Sequence, residues 1–171
     1  MNLRPPAVRM VLAHGLPVVI EVTSDSMTPS VERGTKVKVE PAPGELLAGE
    51  IALIMVDDDR EMLLHRVMHV FSSAGAQYVI HQGDAESSSF AICPREAAVG
   101  RAVAFALTPS RPVPVPEPEE PEARARFHRR RRACVLFALG RRVASRLNVS
   151  ENRMAQRIGR AYRAAARRFA G

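Results

Sequence analysis

The segment KVKVE (residues 36–40) alternates valine with charged side chains, and this alternation decides the fold class. Successive side chains of a β-strand point to opposite faces, so the two valines would face a core and the charged residues would face solvent. The segment therefore predicts a strand of a sheet that is covered on one face.

Similar signals recur on both sides of this strand. Short segments rich in β-branched residues are separated by turn sequences such as PAPGE, SSAGA and HQGDA, and no internal repeat is visible. These segments occupy residues 17–23, 50–56, 62–70, 77–82 and 98–106. They predict a mostly β domain over residues 1–107 with an antiparallel sheet, either a sandwich or a barrel. RPPAVRMVLAHG (4–15) adds a short helix in front of it.

Composition changes beyond this domain. Residues 108–122 are rich in proline and glutamate, which favours an extended linker. Residues 1–122 contain 10 Lys or Arg and 17 Asp or Glu, for a net charge of −7, whereas residues 123–171 contain 15 Arg and one Glu, for +14. The high isoelectric point therefore belongs to the tail and carries no information about the β domain.

Helical periodicity replaces alternation in this tail. A first apolar stripe is formed by Leu136, Leu139, Val143 and Leu147, and a second follows after residue 150. We expect two basic amphipathic helices. Such a tail could bind an anionic membrane surface, bind nucleic acid or pack on the acidic β domain. Nucleic acid is less favoured because no base-reading motif is present.

The sequence also predicts where the protein resides. The apolar run at residues 10–20 is broken by His14, Gly15 and Pro17 and lacks a cleavage site, and no run reaches the roughly 18 residues of a membrane span. Cys93 and Cys134 give neither zinc spacing nor a disulfide framework. We expect a cytoplasmic protein, soluble or peripheral at a membrane, with no metal or organic cofactor.

Three short motifs could carry chemistry. Ser26 in TSDSMTPS (23–30) follows a strand, and a serine hydroxyl becomes nucleophilic when a base takes its proton. His65 in LLHRVMHV follows two leucines, where burial keeps an imidazole neutral. Asp84 follows Gly83, which permits a tight turn, and its carboxylate could orient a histidine.

Each motif also has a purely structural interpretation as a polar turn, a core histidine or a common Gly-Asp turn. A zinc site formed by His65, His69 and His81 is conceivable, but no acidic or cysteine ligand has suitable spacing nearby. Lys36 and Lys38 are rejected as bases because their alternation indicates a solvated face.

The order of the motifs resembles the signal peptidase I family, in the branch that pairs serine with histidine and occurs in the endoplasmic reticulum and archaea. The family pattern of Ser-x-Ser-Met-x-Pro, a Gly-Asp-x-Val-x-Val strand, His-Arg-Val and a Gly-Asp turn maps onto residues 24–29, 34–39, 65–67 and 83–84, with Thr35 standing where the family usually has Asp. The resemblance covers roughly residues 17–106, and the fold it implies is related to LexA-like peptidase domains.

The resemblance implies a role for each matching residue. Ser26 would be the nucleophile, His65 the general base and Asp84 its acidic partner. The Ser24 hydroxyl and the Ser26 backbone N–H would form the oxyanion hole.

Substrate binding is implied as well. Met27 and Pro29, next to the nucleophile, would contribute to the substrate site, and an extended peptide would add to the strand at 17–23. The expected activity is that of a serine endopeptidase that cleaves a signal or precursor peptide.

Two alternatives stay open. One is a LexA-like DNA-associated regulator, although that class uses a lysine base and carries its DNA-binding module ahead of the peptidase domain. The other is a catalytically inactive peptide-binding protein. Asp25 supports the second alternative because it stands where the family usually has glycine and brings a negative charge beside the oxyanion hole.

Overall fold

The computed structural model describes residues 3–42, 44–85, 90–106 and 121–146. Two helices and seven strands follow one another along these residues, with a 3-10 turn at Arg95–Ala97. In chain order they are α1 (Pro5–Ala13), β1 (Val18–Glu21), β2 (Lys36–Pro41), β3 (Ile51–Val56), β4 (Glu61–Ser73), β5 (Ala76–Gln82), β6 (Ala91–Pro94), β7 (Ala98–Ala106) and α2 (Pro121–Arg146).

The strands form one curled antiparallel sheet in the order β1-β2-β7-β3-β4-β5-β6. The predicted fold class, a mostly β antiparallel domain followed by a helical extension, is confirmed. Every strand predicted from the sequence is present, and so is the short helix before them. β6 was missed because the segment AICP is only 4 residues long and ends in proline.

β3 lies in the middle of the sheet and is buried on both faces. Ile51, Leu53 and Met55 point into the larger core cluster inside the curl, whereas Ala52 and Ile54 point into a cluster on the other face. This explains why the segment is continuously apolar rather than alternating.

α1 closes one side of the larger core cluster. It begins with two prolines, which suit the first helical turn because the backbone N–H groups there have no partner within the helix. Val8 and Leu12 are buried against the sheet. Gly100 of β7 permits this packing, because a Cβ there would collide with the Val39 side chain and approach Leu12 within 3.2 Å.

α2 packs across β4 and β5. Cys134 and Ala138, one helical turn apart, are buried in an apolar cluster whose sheet residues are Met68, Phe71 and Ile80. Their small side chains let the helix approach the sheet closely.

The stripe predicted for this helix is wrong in the positions that the structure describes. Leu136 is 69% exposed and Leu139 is 49% exposed, because both lie on the side of the helix opposite Cys134 and Ala138. The predicted linker (108–122) has only its last residues described, as the start of α2, and the second helix predicted after residue 150 lies outside the described residues. No described helix contains a stretch long and apolar enough to span a membrane.

A matched pair of charge substitutions will test this orientation of α2. Ala138→Glu places a carboxylate in an apolar cluster, so we expect the free energy of unfolding to fall by roughly 1–3 kcal/mol. Leu139→Glu, on the outward face, should change it by less than about 0.5 kcal/mol. Urea denaturation measures both, and similar effects of the two substitutions would contradict the packing described.

Candidate active site

The loop between β1 and β2 carries both serines. Ser26 is half-buried, and its Oγ lies 3.1 Å from the Oγ of Ser24, which is exposed. Backbone hydrogen bonds fold the loop tightly: the Thr28 N–H donates to the Asp25 carbonyl at 3.1 Å and the Val31 N–H to the Met27 carbonyl at 2.9 Å. The two serine hydroxyls are therefore held together on a short, well-bonded loop.

The substrate contact predicted for Met27 on this loop is wrong. The Met27 side chain is completely buried in the larger core cluster, so it anchors the loop from beneath and cannot contact a substrate. Pro29 is exposed and lies at the surface near the serines. The role predicted for Pro29 stays a prediction.

The end of β5 packs directly against Ser26. The Ala85 N–H donates to the Ser26 carbonyl at 3.0 Å. A Cβ on Gly83 would lie 2.5 Å from the Ser26 carbonyl oxygen and 3.3 Å from the Ser26 Cβ. Gly83 does not have a positive φ, so glycine is needed here for the close approach of Ser26 rather than for a special turn conformation.

Asp84, next in the chain, forms an ion pair with Arg66 of β4. Arg66 Nε donates to Oδ1 at 2.8 Å and Nη2 donates to Oδ2 at 2.6 Å, a two-pronged contact in which Arg66 is 1% exposed. Arg66 also donates to the Gly49 carbonyl at 2.7 Å and to Ser30 Oγ at 3.3 Å. We predicted that Asp84 would orient His65, but the contacts described for its carboxylate are with Arg66.

His65 contacts a second histidine instead. Its Nδ1 lies 3.0 Å from the Nδ1 of His81, and both side chains are buried. The register pairs Val67 with His81, so strand alternation puts His65 and His81 diagonally opposite on one face of β4 and β5. Burial, and then the neighbouring His65, lower the pKa of His81 to about 4.

Ser26 and His65 are linked through β5. The hydrogen bonds described for the two side chains run from Ser26 to Ser24 and from His65 to His81, so neither joins Ser26 to His65. However, the Ser26 main chain lies on Gly83, two residues after the histidine that contacts His65. A direct contact between the Ser26 hydroxyl and the His65 ring stays a prediction.

A cleft of about 170 Å³ leads to the serine loop. One wall is formed by residues 19–24 and the other by residues 62–64, with Leu53 between them and Leu3 also lining the space. The apolar side chains suit apolar groups of a ligand, and Ser24 belongs to the cleft wall.

Both walls have strand edges without a partner among the described strands. Among the strands that the structure describes, β1 is the first of the sheet and pairs only with β2. β4 pairs with β3 over residues 61–66 but with β5 only from Arg66 onward, so its other edge is unpaired before that residue. Such edges expose backbone N–H and C=O groups that an extended peptide can bind.

The two strands that line the cleft run in the same direction. The pairings β1–β2, β2–β7, β7–β3 and β3–β4 are all antiparallel, so β1 and β4 run in the same direction. β1 runs toward Ser26 and the unpaired part of β4 runs toward His65. Both strands therefore run toward the end of the cleft at which the serine loop lies.

Comparisons of the chain with protein-family models, curated proteins and solved structures gave no match. A functional interpretation therefore depends on the residues of this chain.

Other chemistries considered for these residues find little support in the geometry. Within the described ranges, no group of three or more His, Cys, Asp or Glu is placed to hold a metal ion, and the His69 ring stacks on Phe71. Lys36 and Lys38 are exposed, and Lys38 pairs with Glu40 at 3.0 Å. A lysine that acts as a base is buried, so both lysines are unsuited to that role.

From the sequence, His81 is one of several further candidate histidines beside His65 and one ligand of the zinc site considered. Alternation in QYVIHQ predicts its face, but its pairing with His65 depends on the register between β4 and β5. That register shifts at a bulge between Val67 and His69. A bulge of this kind has no clear signature in a single sequence.

Acid will destabilise the protein through His81. Its pKa is about 4 in the folded protein against an ordinary value of 6.5, so the unfolded chain binds the proton first. Stability that is fully present above pH 6.5 is therefore lost as the pH falls toward 4, by on the order of 3 kcal/mol. Urea denaturation across this range measures the loss.

Two variants distinguish the contribution of His81 to the pH dependence of stability from the contributions of other titrating groups. His81→Asn should remove this part of the pH dependence, whereas His14→Ala, at an exposed histidine, should keep it. An unchanged pH dependence in His81→Asn would show that the acid sensitivity has another origin.

Proposed function

We propose that the protein is a serine endopeptidase that cleaves extended peptide segments, with Ser26 as nucleophile and His65 as general base. The observation that supports it most strongly is the convergence of three segments at one end of an open-edged cleft. These are the serine loop, the end of β5 and residues 65–66 of β4, which hydrogen bonds and close packing hold together.

The cleft geometry suggests how a substrate would bind. The peptide would form backbone hydrogen bonds with the open edges of β1 and β4, and its side chains would alternate between solvent and the cleft floor. Leu53, Met62 and Leu64 line that floor, and the volume of about 170 Å³ suits small apolar side chains.

The chemistry would proceed through an acyl-enzyme. Ser26 Oγ attacks the scissile carbonyl carbon while its proton passes to His65 Nε2, and the carbonyl oxygen becomes an oxyanion. The Ser26 N–H and the Ser24 hydroxyl would donate hydrogen bonds to it. His65 then gives its proton to the leaving amine, and a water molecule activated by His65 hydrolyses the ester.

The contact between the two serines suits this division of roles. Ser24 Oγ lies 3.1 Å from Ser26 Oγ, close enough to reach an oxygen of the group that Ser26 attacks. Asp25 between them is exposed, and water screens the charge of an exposed carboxylate, which weakens its effect on the oxyanion.

Peptide binding without cleavage is the second candidate function. The open strand edges and the apolar cleft would hold a peptide whether or not Ser26 reacts. The LexA-like alternative, with a lysine base, receives less support because Lys36 and Lys38 are exposed.

Cleavage of an unbiased peptide library will distinguish these candidates. Wild-type protein should cleave a subset of peptides, and Ser26→Ala and His65→Ala should each lower kcat/KM by on the order of 10⁴-fold or more, because nucleophile and base act as a unit. Mass spectrometry of the products measures the activity and reveals the preferred residues around the cleaved bond.

The matched controls lie elsewhere on the surface. Ser72→Ala and His14→Ala change an exposed serine and an exposed histidine, and should leave cleavage intact. Cleavage that survives both Ser26→Ala and His65→Ala would contradict the proposal. Peptide binding by every form without cleavage by any would favour the binding function.

A further inference from the structure

We propose that His81 is a positioning residue for His65: the hydrogen bond between their Nδ1 atoms holds His65 in the tautomer whose Nε2 can accept the Ser26 proton. This inference rests on the proposed peptidase function, and it assigns an orienting role to a neutral imidazole rather than to the Asp84 carboxylate.

The contact itself restricts where the protons lie. Two ring nitrogens 3.0 Å apart form a hydrogen bond when one carries a proton and the other does not. If His65 Nδ1 is the donor, the lone pair of the neutral ring is on Nε2, which can act as a base. If His81 Nδ1 is the donor, the proton of neutral His65 is on Nε2, and His65 cannot accept a proton there.

The surroundings favour the first arrangement during the reaction. When His65 accepts the Ser26 proton it becomes a cation with a proton on each nitrogen, and its Nδ1–H then needs an acceptor. His81 provides that acceptor as long as its ring stays neutral. Its burial at 2% exposure opposes a charge, and the lowered pKa of His81, about 4, keeps the proton on His65.

Asp84 is bound by Arg66, which leaves His81 as the proposed hydrogen-bond acceptor for His65 Nδ1. Both oxygens of Asp84 are bound by the guanidinium of Arg66. Strand alternation points Arg66 to the face of β4 opposite His65. The ion pair therefore holds the turn after β5 in place, and His81 on β5 is the residue whose ring contacts His65.

Two substitutions separate orientation from simple packing. His81→Leu keeps an apolar group of similar size but has no acceptor, so we expect kcat to fall by at least about 10²-fold with little change in KM. His81→Asn retains an oxygen close to the position of Nδ1, and should keep at least about ten times more activity than His81→Leu. Equal losses in the two variants, with both folded in thermal denaturation, would overturn the proposal.

A direct measurement of the tautomer does not require activity. Proton–nitrogen correlation NMR of the imidazole rings in the Ser26→Ala protein should show His65 protonated at Nδ1, with this preference retained in His81→Asn and lost in His81→Leu. Protonation of His65 at Nε2 in the Ser26→Ala protein would overturn the proposal. Protonation at Nδ1 together with an absence of cleavage by wild type would refute the peptidase function while the role of His81 in orienting the ring stands.

A separate observation concerns the outward face of α2, from which we infer an attachment site for anionic phospholipid surfaces. The helix segment 123–146 is rich in arginine and contains no acidic residue. Its inward face is occupied by the apolar packing against β4 and β5. Leu136 and Leu139 stand out from the opposite face beside exposed arginines.

A cleft of about 490 Å³ lies where this face meets β4. It combines cationic or polar groups with apolar ones, and its lining consists of His69, His128, Arg131, Arg132, Val135 and Leu136. This combination fits an amphiphilic anion: the two arginines suit a phosphate and the apolar pair suits the start of an acyl chain. Nucleic acid would satisfy the arginines but leave the exposed leucines in water.

Co-sedimentation of the full chain with lipid vesicles tests this inference. The protein should bind vesicles that contain phosphatidylglycerol and should bind phosphatidylcholine vesicles at least about tenfold more weakly. We expect a loss of about tenfold or more in Arg131→Gln/Arg132→Gln and a clear loss in Leu136→Ser/Leu139→Ser. The control Lys36→Gln/Lys38→Gln removes exposed cations elsewhere and should bind normally.

The other possible ligands appear as distinct outcomes. If the leucine variant binds vesicles like wild type while the arginine variant loses both vesicle and duplex DNA binding, the membrane assignment is wrong and a polyanion site replaces it. Inhibition of vesicle binding by inorganic phosphate at the same concentration as lipid phosphate would likewise overturn it in favour of a site for free anions.

Discussion

The buried guanidinium of Arg66 is the interaction on which the site depends. Removing a charged side chain from water costs several kcal/mol unless its hydrogen-bond donors are matched. At 1% exposure, Arg66 is matched by Asp84, by the Gly49 carbonyl and by Ser30. These partners come from the turn after β5, the segment before β3 and the serine loop, so one side chain fixes the relative positions of three connections.

The Arg66–Asp84 ion pair lies close to the pair formed by His65 and His81. His65 and Arg66 are adjacent on β4 and point to opposite faces, so the strand separates the ion pair from the histidine pair. Arg66 binds the Asp84 carboxylate, and the Nδ1 atom of His81 lies 3.0 Å from His65 Nδ1. In the proposed mechanism, the role that the family resemblance would give to a carboxylate would be taken by the His81 imidazole, close to the same strand end.

The sequence predicted the features that depend on local periodicity. Alternation in KVKVE, and short segments rich in β-branched residues between turn sequences, located six of the seven strands. Periodicity failed for α2, where it selected Leu136 and Leu139. The helix packs instead through the buried Cys134 and Ala138, with Phe127 and Phe137 partly buried beside them, and the fit to a sheet surface is a tertiary property that hydrophobicity alone does not reveal.

The sequence predicted the individual residues of the candidate site but not the contacts between them. Ser26, Asp84 and His65 could be found by motif, but their partners could not, because pairing depends on the stagger between strands. β4 pairs with β3 up to Arg66 and with β5 from Arg66 onward. The exchange of partners leaves the edge before Arg66 without a neighbour among the described strands and brings the end of β5 alongside His65 and Arg66. The cleft and the histidine pair therefore share one cause: a long strand that changes neighbours halfway along its length.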